Sequence, residues 1–148
     1  MLHSQHQYDV TLCNGIYSFT TTHGVAYSAY FVKVPTEDGL PLFSFSFEKE
    51  GEEHSVFDPR VKSTICSILE NFFEKEDNAM LFVCEQIDGR EKARFKLFDK
   101  WYGDYKERFD RIDYCSENIY SSVIMDKGNP LKKQIAFEYL SLMGFLSN

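Results

Sequence analysis

The chain has 148 residues, a formal net charge of −7 and an aromatic content of 16%. A chain of this length fits one domain, and its 43% hydrophobic residues exclude a disordered chain. The acidic balance argues against nonspecific binding to nucleic acid, because the phosphates attract clustered Lys and Arg. We therefore expect a single domain over residues 1–148, in which residues 1–7 form a loose leader.

Four strands are predicted in the first third of the chain, at residues 8–13, 16–22, 25–34 and 42–49. The first two flank Asn14-Gly15, a pair typical of a two-residue hairpin because both central positions of the favoured turn need φ above zero. The fourth shows the clearest alternation, and Phe43, Phe45 and Phe47 are predicted to point inward. These strands predict an antiparallel meander with one face packed on helices.

A helix and a buried strand are predicted next. Asp58 can cap the helix, and Pro59 suits its first position, where the missing N–H costs nothing. The apolar residues at helical spacing are Val61, Ile65, Ile68, Leu69, Phe72 and Phe73. Residues 79–84 carry no charge, which predicts a central strand buried on both faces.

A second helix is predicted from near Arg90, because Asp88-Gly89 is a turn signal. Its predicted inner stripe consists of Phe95, Phe98, Trp101, Tyr102 and Tyr105. The residues that follow have two interpretations. Residues 102–109 either prolong this helix or lead into a strand.

Two strands are predicted at residues 108–116 and 119–125, and a terminal helix follows them. Asn129 is a good cap for this helix, and Pro130 occupies its first position. Its predicted apolar stripe consists of Leu131, Ile135, Tyr139, Leu142, Met143 and Leu146. The predicted fold is a single α+β domain, with an antiparallel sheet of five to seven strands and three helices packed on one face.

The four cysteines are widely spaced, at Cys13, Cys66, Cys84 and Cys115. No pair has the spacing of a zinc knuckle or a redox dithiol, so we interpret them as reduced core residues. No metal site and no cofactor are predicted. The N-terminus lacks the regions of a signal peptide, and no run approaches the roughly 20 apolar residues of a membrane span. We expect a cytoplasmic protein without membrane contact.

A polar corner is predicted at the exit of the buried strand, formed by Glu85, Asp88, Arg90 and Arg94 beside Trp101. In a functional interpretation, the two arginines hold a phosphate or a carboxylate. In the interpretation that we favour, Asp88 caps the second helix and its neighbours form surface ion pairs. The basic second helix with its aromatic stripe also suggests base stacking, although such a stripe is more often core.

The chain resembles a Bacteroidetes family of small uncharacterised proteins that is grouped as a domain of unknown function. The segments that carry the resemblance are Leu81-Phe82-Val83-Cys84-Glu85-Gln86-Ile87-Asp88-Gly89-Arg90, Arg94-Phe95-Lys96-Leu97-Phe98-Asp99-Lys100-Trp101-Tyr102, Tyr17-Ser18-Phe19-Thr20-Thr21 with Gly24 and Tyr27, and the helix at 65–73. The resemblance spans about residues 17–102. Glu85-Gln86 departs from the family pattern, which has a shorter acidic step. The resemblance implies a bacterial cytoplasmic protein and no particular activity.

Three functional hypotheses follow. The leading one is a non-enzymatic protein-interaction or regulatory module with an unknown protein partner, because no complete catalytic constellation is present. The alternative is a nucleotide- or nucleic-acid-handling enzyme that uses the Glu85, Asp88, Arg90 and Arg94 corner. The third is a homodimer that forms through an aromatic surface.

Overall fold

The computed structural model describes residues 7–50, 59–85, 99–100, 102–117 and 119–146, and only the backbone of Cys84 and Glu85. Its elements in chain order are β1 (Thr11–Cys13), β2 (Ile16–Thr20), β3 (Ala26–Lys33), β4 (Leu42–Lys49), α1 (Pro59–Phe72), β5 (Ala79–Glu85), β6 (Phe109–Cys115), β7 (Ile119–Asp126) and α2 (Lys132–Leu146). The seven strands form one sheet in the order β1-β2-β3-β4-β5-β7-β6. The α+β class and the strand number are therefore as predicted.

Two helices, rather than the predicted three, are found in the described residues. The predicted second helix falls mainly on residues 86–98 and 101, which lie outside the described part of the chain. At its end, Asp99, Lys100 and Tyr102 are helical. Turns occupy residues 103–108, so the interpretation in which residues 102–109 prolong this helix is wrong.

The sheet is mixed rather than wholly antiparallel. β4 and β5 pair in parallel, with Leu42 opposite Ala79 and Ser44 opposite Leu81. A parallel pair needs a long crossover connection, and the chain between these strands contains α1. The β1/β2, β2/β3, β5/β7 and β6/β7 pairs are antiparallel. The prediction of an antiparallel sheet is thus wrong at one pair of strands.

The chain divides into two compact units. The first unit comprises Met1–Phe31 and Phe45–Glu74, and the second comprises Val32–Ser44 and Lys75–Asn148. Each unit has a hydrophobic core that can be described by itself. The single domain and the common face for the helices stay predictions.

The first hairpin forms as predicted, with φ angles of 53° at Asn14 and 80° at Gly15. The preceding strand is shorter than predicted, because the β1/β2 ladder ends where Thr11 pairs with Ser18. Tyr8 leaves the ladder, and its backbone N–H donates to Oγ1 of Thr64 on α1 at 2.9 Å. A side chain of the helix thus replaces the strand partner that the sequence pattern predicts.

Stacked aromatic rings form the core of the first unit. Three consecutive ring pairs have centroids 5.2–5.9 Å apart and nearly parallel planes, namely Tyr8–Phe19, Phe19–Tyr27 and Tyr27–Phe47. We call Tyr8, Phe19, Tyr27 and Phe47 the ring ladder. Of the three β4 phenylalanines predicted to point inward, Phe45 is buried, while Phe43 and Phe47 are half-buried.

Aliphatic residues and one tyrosine form the core of the second unit. The buried members are Leu40, Leu42, Ala79, Leu81, Ile119, Val123, Met125, Ile135, Tyr139 and Met143. The last three lie four residues apart on α2, so they form one stripe along its inner face. Oγ of Ser121 and the hydroxyl of Tyr139 lie 2.8 Å apart inside this core. This bond satisfies a phenol that would otherwise be buried without a partner.

The free cysteines correct one interpretation of the sequence. Cys66 on α1 is buried, as expected for a core residue. Cys13 and Cys115 are exposed. Each of them ends a strand at an edge of the sheet, where fewer neighbours cover a side chain.

Replacing Asn129 with Ala is expected to lower the free energy of unfolding by about 1–2 kcal/mol. Oδ1 of Asn129 accepts from the backbone N–H of Leu131 at 2.8 Å, which is the predicted cap of α2. Nδ2 donates to the carbonyl oxygen of Asp77 at 3.2 Å, so the same side chain also holds the turn before β5. Urea denaturation measures the loss.

Asn129→Ser is the matched control, because serine keeps a capping oxygen and lacks the amide donor. Its stability is expected to lie between those of the wild type and Asn129→Ala. Equal losses for the two variants would mean that the cap contributes nothing.

Candidate functional site

The predicted polar corner stays a prediction. Glu85 is the last residue of β5 and pairs with Ile119 of β7 through the backbone. The side chain of Glu85 lies outside the described residues, and so do Asp88, Arg90, Arg94 and Trp101 entirely. The structure therefore does not test whether these groups meet.

A salt-bridge cluster is centred on Arg111 of β6. Nη1 of Arg111 donates to Oδ1 of Asp99 at 2.5 Å, and its Nε donates to Oδ1 of Asp113 at 2.7 Å. Oγ of Ser122 also donates to Oδ1 of Asp113. The guanidinium stands over the ring of Tyr102, 5.1 Å from its centroid.

This Arg111 cluster links Asp99 and Tyr102, at the end of the predicted second helix, to strand β6. The Arg111 side chain is only 8% exposed, and it is held by carboxylates on two different elements. The hydroxyl of Tyr102 donates to the carbonyl oxygen of Phe109 at 2.9 Å, and burial raises the pKa of this hydroxyl. Arg111 donates to both carboxylates and is itself almost wholly buried between them, so we interpret the cluster as structural.

The outer face of α2 carries the largest exposed apolar side chains in the described residues. Phe137 is 70% exposed and Phe145 is 78% exposed, while Leu140 and Leu146 are both 46% exposed. Single exposed apolar residues are ordinary, but two exposed phenylalanines and a leucine on one helix face form a patch. We call Phe137, Leu140, Ser141, Gly144 and Phe145 the outer face of α2.

The outer face is narrow and its five residues are uncharged, while Lys133 lies one turn before Phe137 in the same arc. At 100° per residue, its five members lie within an arc of roughly 140°. Phe137 and Phe145 are separated by about 12 Å along the helix axis, and the small residues Ser141 and Gly144 lie between them. A Cβ atom added at Gly144 would find no atom within 4 Å, so the helix backbone is accessible there.

The opposite side of α2 holds this face in place. Ile135, Tyr139 and Met143 are fully buried in the core of the second unit. At the start of the helix, Nζ of Lys132 forms an ion pair with Asp110 of β6. The outer face is therefore a firmly supported surface of the second unit.

Reasoning from the sequence missed this face. It assigned α2 an inner stripe that includes Leu146, which is wrong because Leu146 is 46% exposed. The apolar residues of α2 outside this predicted inner stripe could have indicated the second face. Phe137, Leu140 and Phe145 are apolar, and their spacings of three, five and eight residues place them on one side of a helix.

In the residues that the structure describes, no helix is long and apolar enough to cross a membrane. The same part of the chain contains no group of three or more His, Cys, Asp or Glu side chains placed to hold a metal ion.

The fold and the outer face of α2 define a small α+β protein with one mixed seven-stranded sheet and an exposed apolar helix face. The chain belongs to the Family of unknown function (DUF6169), whose sequence model matches residues 57–140. Neither the curated proteins nor the solved structures contain a match.

This membership confirms the expected resemblance to an uncharacterised family, but the matched residues differ from the predicted span of about residues 17–102. The match starts at residue 57, so the upstream segment 17–27 lies outside it. It continues past residue 102 and includes the first nine residues of α2. The Bacteroidetes origin, the family pattern assigned to residues 81–90 and 94–102, and the cytoplasmic location stay predictions.

Proposed function

We propose that this protein is a non-enzymatic protein-interaction module and that a second copy of the chain covers the outer face of α2. The observation that carries the proposal is the pair of exposed rings, Phe137 and Phe145, on a helix whose other side is buried. Water next to exposed rings is displaced favourably when two such faces meet.

The shape of the face favours a second copy over an unrelated partner. A two-fold axis beside Ser141 would place Phe137 of each copy against Phe145 of the other, because Ser141 is midway between them. The accessible backbone at Gly144 leaves room for the opposing ring. A surface that complements itself in this way suits an isologous dimer.

The size of the face predicts weak association. Phe137, Phe145 and Leu140 at their observed exposure give an apolar patch of about 400 Å². A stable interface buries roughly 800 Å² on each partner. We therefore expect a reversible dimer with a Kd between about 10 µM and 1 mM.

Analytical ultracentrifugation over a concentration series tests this proposal. The wild type is expected to shift from monomer to dimer, whereas the double variant Phe137→Glu with Phe145→Glu stays monomeric. Val32→Glu is the matched control, because Val32 is 54% exposed and lies on β3 rather than on α2. It is expected to dimerise like the wild type.

A charge-swapped pair identifies the contact itself. We expect the double variant with two glutamates to form a heterodimer with a second double variant, Phe137→Lys with Phe145→Lys, because opposite charges then meet across the axis. A wild-type protein that stays monomeric at about 1 mM would overturn the proposed second copy. Turnover of a nucleotide that Asp88→Ala abolishes would instead support the enzyme interpretation of the polar corner.

A further inference from the structure

We propose that the first unit binds a zwitterionic α-amino acid, free or as a dipeptide, in a concavity between β2 and the start of α1. The concavity has a volume of about 420 Å³. It is lined by residues of the first unit alone, including Tyr8, Asp9, Ser18, Phe19, Thr20 and Arg60. This inference does not depend on the proposed dimer, whose face lies in the second unit.

The concavity exists because the β1/β2 ladder ends early. Pairing stops where Thr11 meets Ser18, while β2 continues to Thr20. The chain before β1 diverges from β2 because Tyr8 is held by Thr64, whose hydroxyl in turn donates to the carbonyl oxygen of Arg60 at 2.6 Å. The gap has a floor of buried rings, Tyr8 and Phe19, and a rim with the exposed residues Ser18 and Thr20.

Arg60 supplies a cation with an unused donor. Its Cζ atom lies 3.9 Å from the centroid of the Tyr8 ring, and its Nη2 donates to the carbonyl oxygen of Gln7 at 3.2 Å. Its Nε is buried and has no hydrogen-bond partner in the structure. A ligand carboxylate in the concavity is attracted to this guanidinium and can accept charge-assisted hydrogen bonds from it.

The charges of the lining select the class of ligand. Arg60 attracts a carboxylate, whereas Asp9 on the same concavity repels a simple anion and attracts an ammonium group. A ligand with both charges therefore fits better than phosphate or an amine alone. The volume lies within the roughly 300–1,000 Å³ of small-molecule sites, and the Tyr8–Phe19 floor provides an apolar surface for a side chain.

Isothermal titration of the full chain tests this inference with the twenty L-amino acids, dipeptides of them and inorganic phosphate. We expect at least one amino acid or dipeptide to bind more tightly than phosphate. Asp9→Asn and Arg60→Lys are each expected to weaken that ligand about tenfold. Lysine keeps the positive charge over Tyr8 but lacks Nε, so Arg60→Lys isolates the guanidinium.

Modified ligands distinguish contact from indirect effects. N-acetylation of the best ligand is expected to weaken its binding to the wild type. Asp9→Asn should then have almost no further effect on affinity for the acetylated ligand, because both changes remove the same contact. Amidation of the ligand carboxylate is likewise expected to weaken binding to the wild type, and Arg60→Lys should have almost no further effect on affinity for the amidated ligand. A peptide response without a response to any free amino acid assigns the site to dipeptides.

The matched control is Arg108→Gln, because Arg108 also lies over a ring, 4.8 Å from the centroid of Phe109. It belongs to the second unit, so binding is expected to be unchanged. Far-UV circular dichroism confirms that each variant is folded. The inference is overturned if no amino acid or dipeptide binds at about 10 mM, or if folded Asp9→Asn and Arg60→Lys bind like the wild type.

Discussion

Replacing Phe19 with Ala is expected to lower the free energy of unfolding by about 3–5 kcal/mol. Phe19 is buried in the ring ladder, between Tyr8 at 5.9 Å and Tyr27 at 5.3 Å. Alanine removes both ring contacts and leaves a cavity between side chains that the strands hold apart. Urea denaturation followed by circular dichroism measures the change.

Phe19→Leu separates the two contributions to this loss. Leucine fills most of the space but cannot stack, so its expected cost is about 1–3 kcal/mol, the value of two aromatic contacts. Phe137→Ala is the exposed control and is expected to change stability by less than about 0.5 kcal/mol. If Phe19→Ala cost no more than Phe137→Ala, the ring ladder would not stabilise the first unit.

Local signals in the sequence predicted most element positions. The Asn14-Gly15 turn, the alternation of β4, the Pro59 start of α1 and the Asn129 cap each depend on neighbouring residues only. Such features are visible in one sequence because φ preferences and capping act within a few positions. The strand order of β1 to β4 followed for the same reason, since short turns join neighbouring strands.

The parallel β4/β5 pair could not be predicted in this way. The alternation of β4 and the uncharged run of β5 are compatible with either direction of pairing. The direction is decided by contacts between distant residues, such as Leu42 beside Ala79, in a core completed by α2. The pairing of Arg111 with Asp99 and Asp113 also joins separate elements, and no local pattern indicated it.

The two proposed sites differ in what the sequence reveals about them. The outer face of α2 was detectable, because Phe137, Leu140 and Phe145 remain after the inner stripe is assigned. The concavity was not, because it forms where a predicted strand fails to pair. Tyr8 has the alternation of a strand residue, yet its N–H is bonded to Thr64, which is distant in the chain. A site formed by such an exception to a local rule can be recognised only from the three-dimensional structure.

Raising the pH from 10 to 12 is expected to remove about 2 kcal/mol of stability through Tyr139 alone. Burial raises the pKa of Tyr139 from 10.0 to about 12, although the hydrogen bond with Ser121 opposes this shift. Below pH 10 the phenol is protonated in the folded and unfolded states, so the contribution is complete. Between pH 10 and 12 only the unfolded state loses the proton, and this favours unfolding.

Tyr139→Phe provides the comparison that isolates this effect. At pH 7 the variant is expected to be less stable than the wild type by about 1–2 kcal/mol, because Ser121 loses the hydroxyl at 2.8 Å. Above pH 10 the difference should shrink, and the two proteins should converge near pH 11–12, since phenylalanine does not ionise. Other titrating groups affect both proteins alike and cancel in the difference.

Urea denaturation at intervals between pH 7 and 11.5 measures the two stability curves. Tyr102→Phe is the control, because burial also raises the pKa of Tyr102 but its hydroxyl bonds a backbone carbonyl nearer the surface. The stability difference between Tyr102→Phe and the wild type should shrink with rising pH less steeply than the difference between Tyr139→Phe and the wild type. Parallel curves for the wild type and Tyr139→Phe would show that the Tyr139 phenol ionises as easily in the folded state as in the unfolded state. That result would contradict the structure, in which the Tyr139 hydroxyl is fully buried and bonded to Ser121.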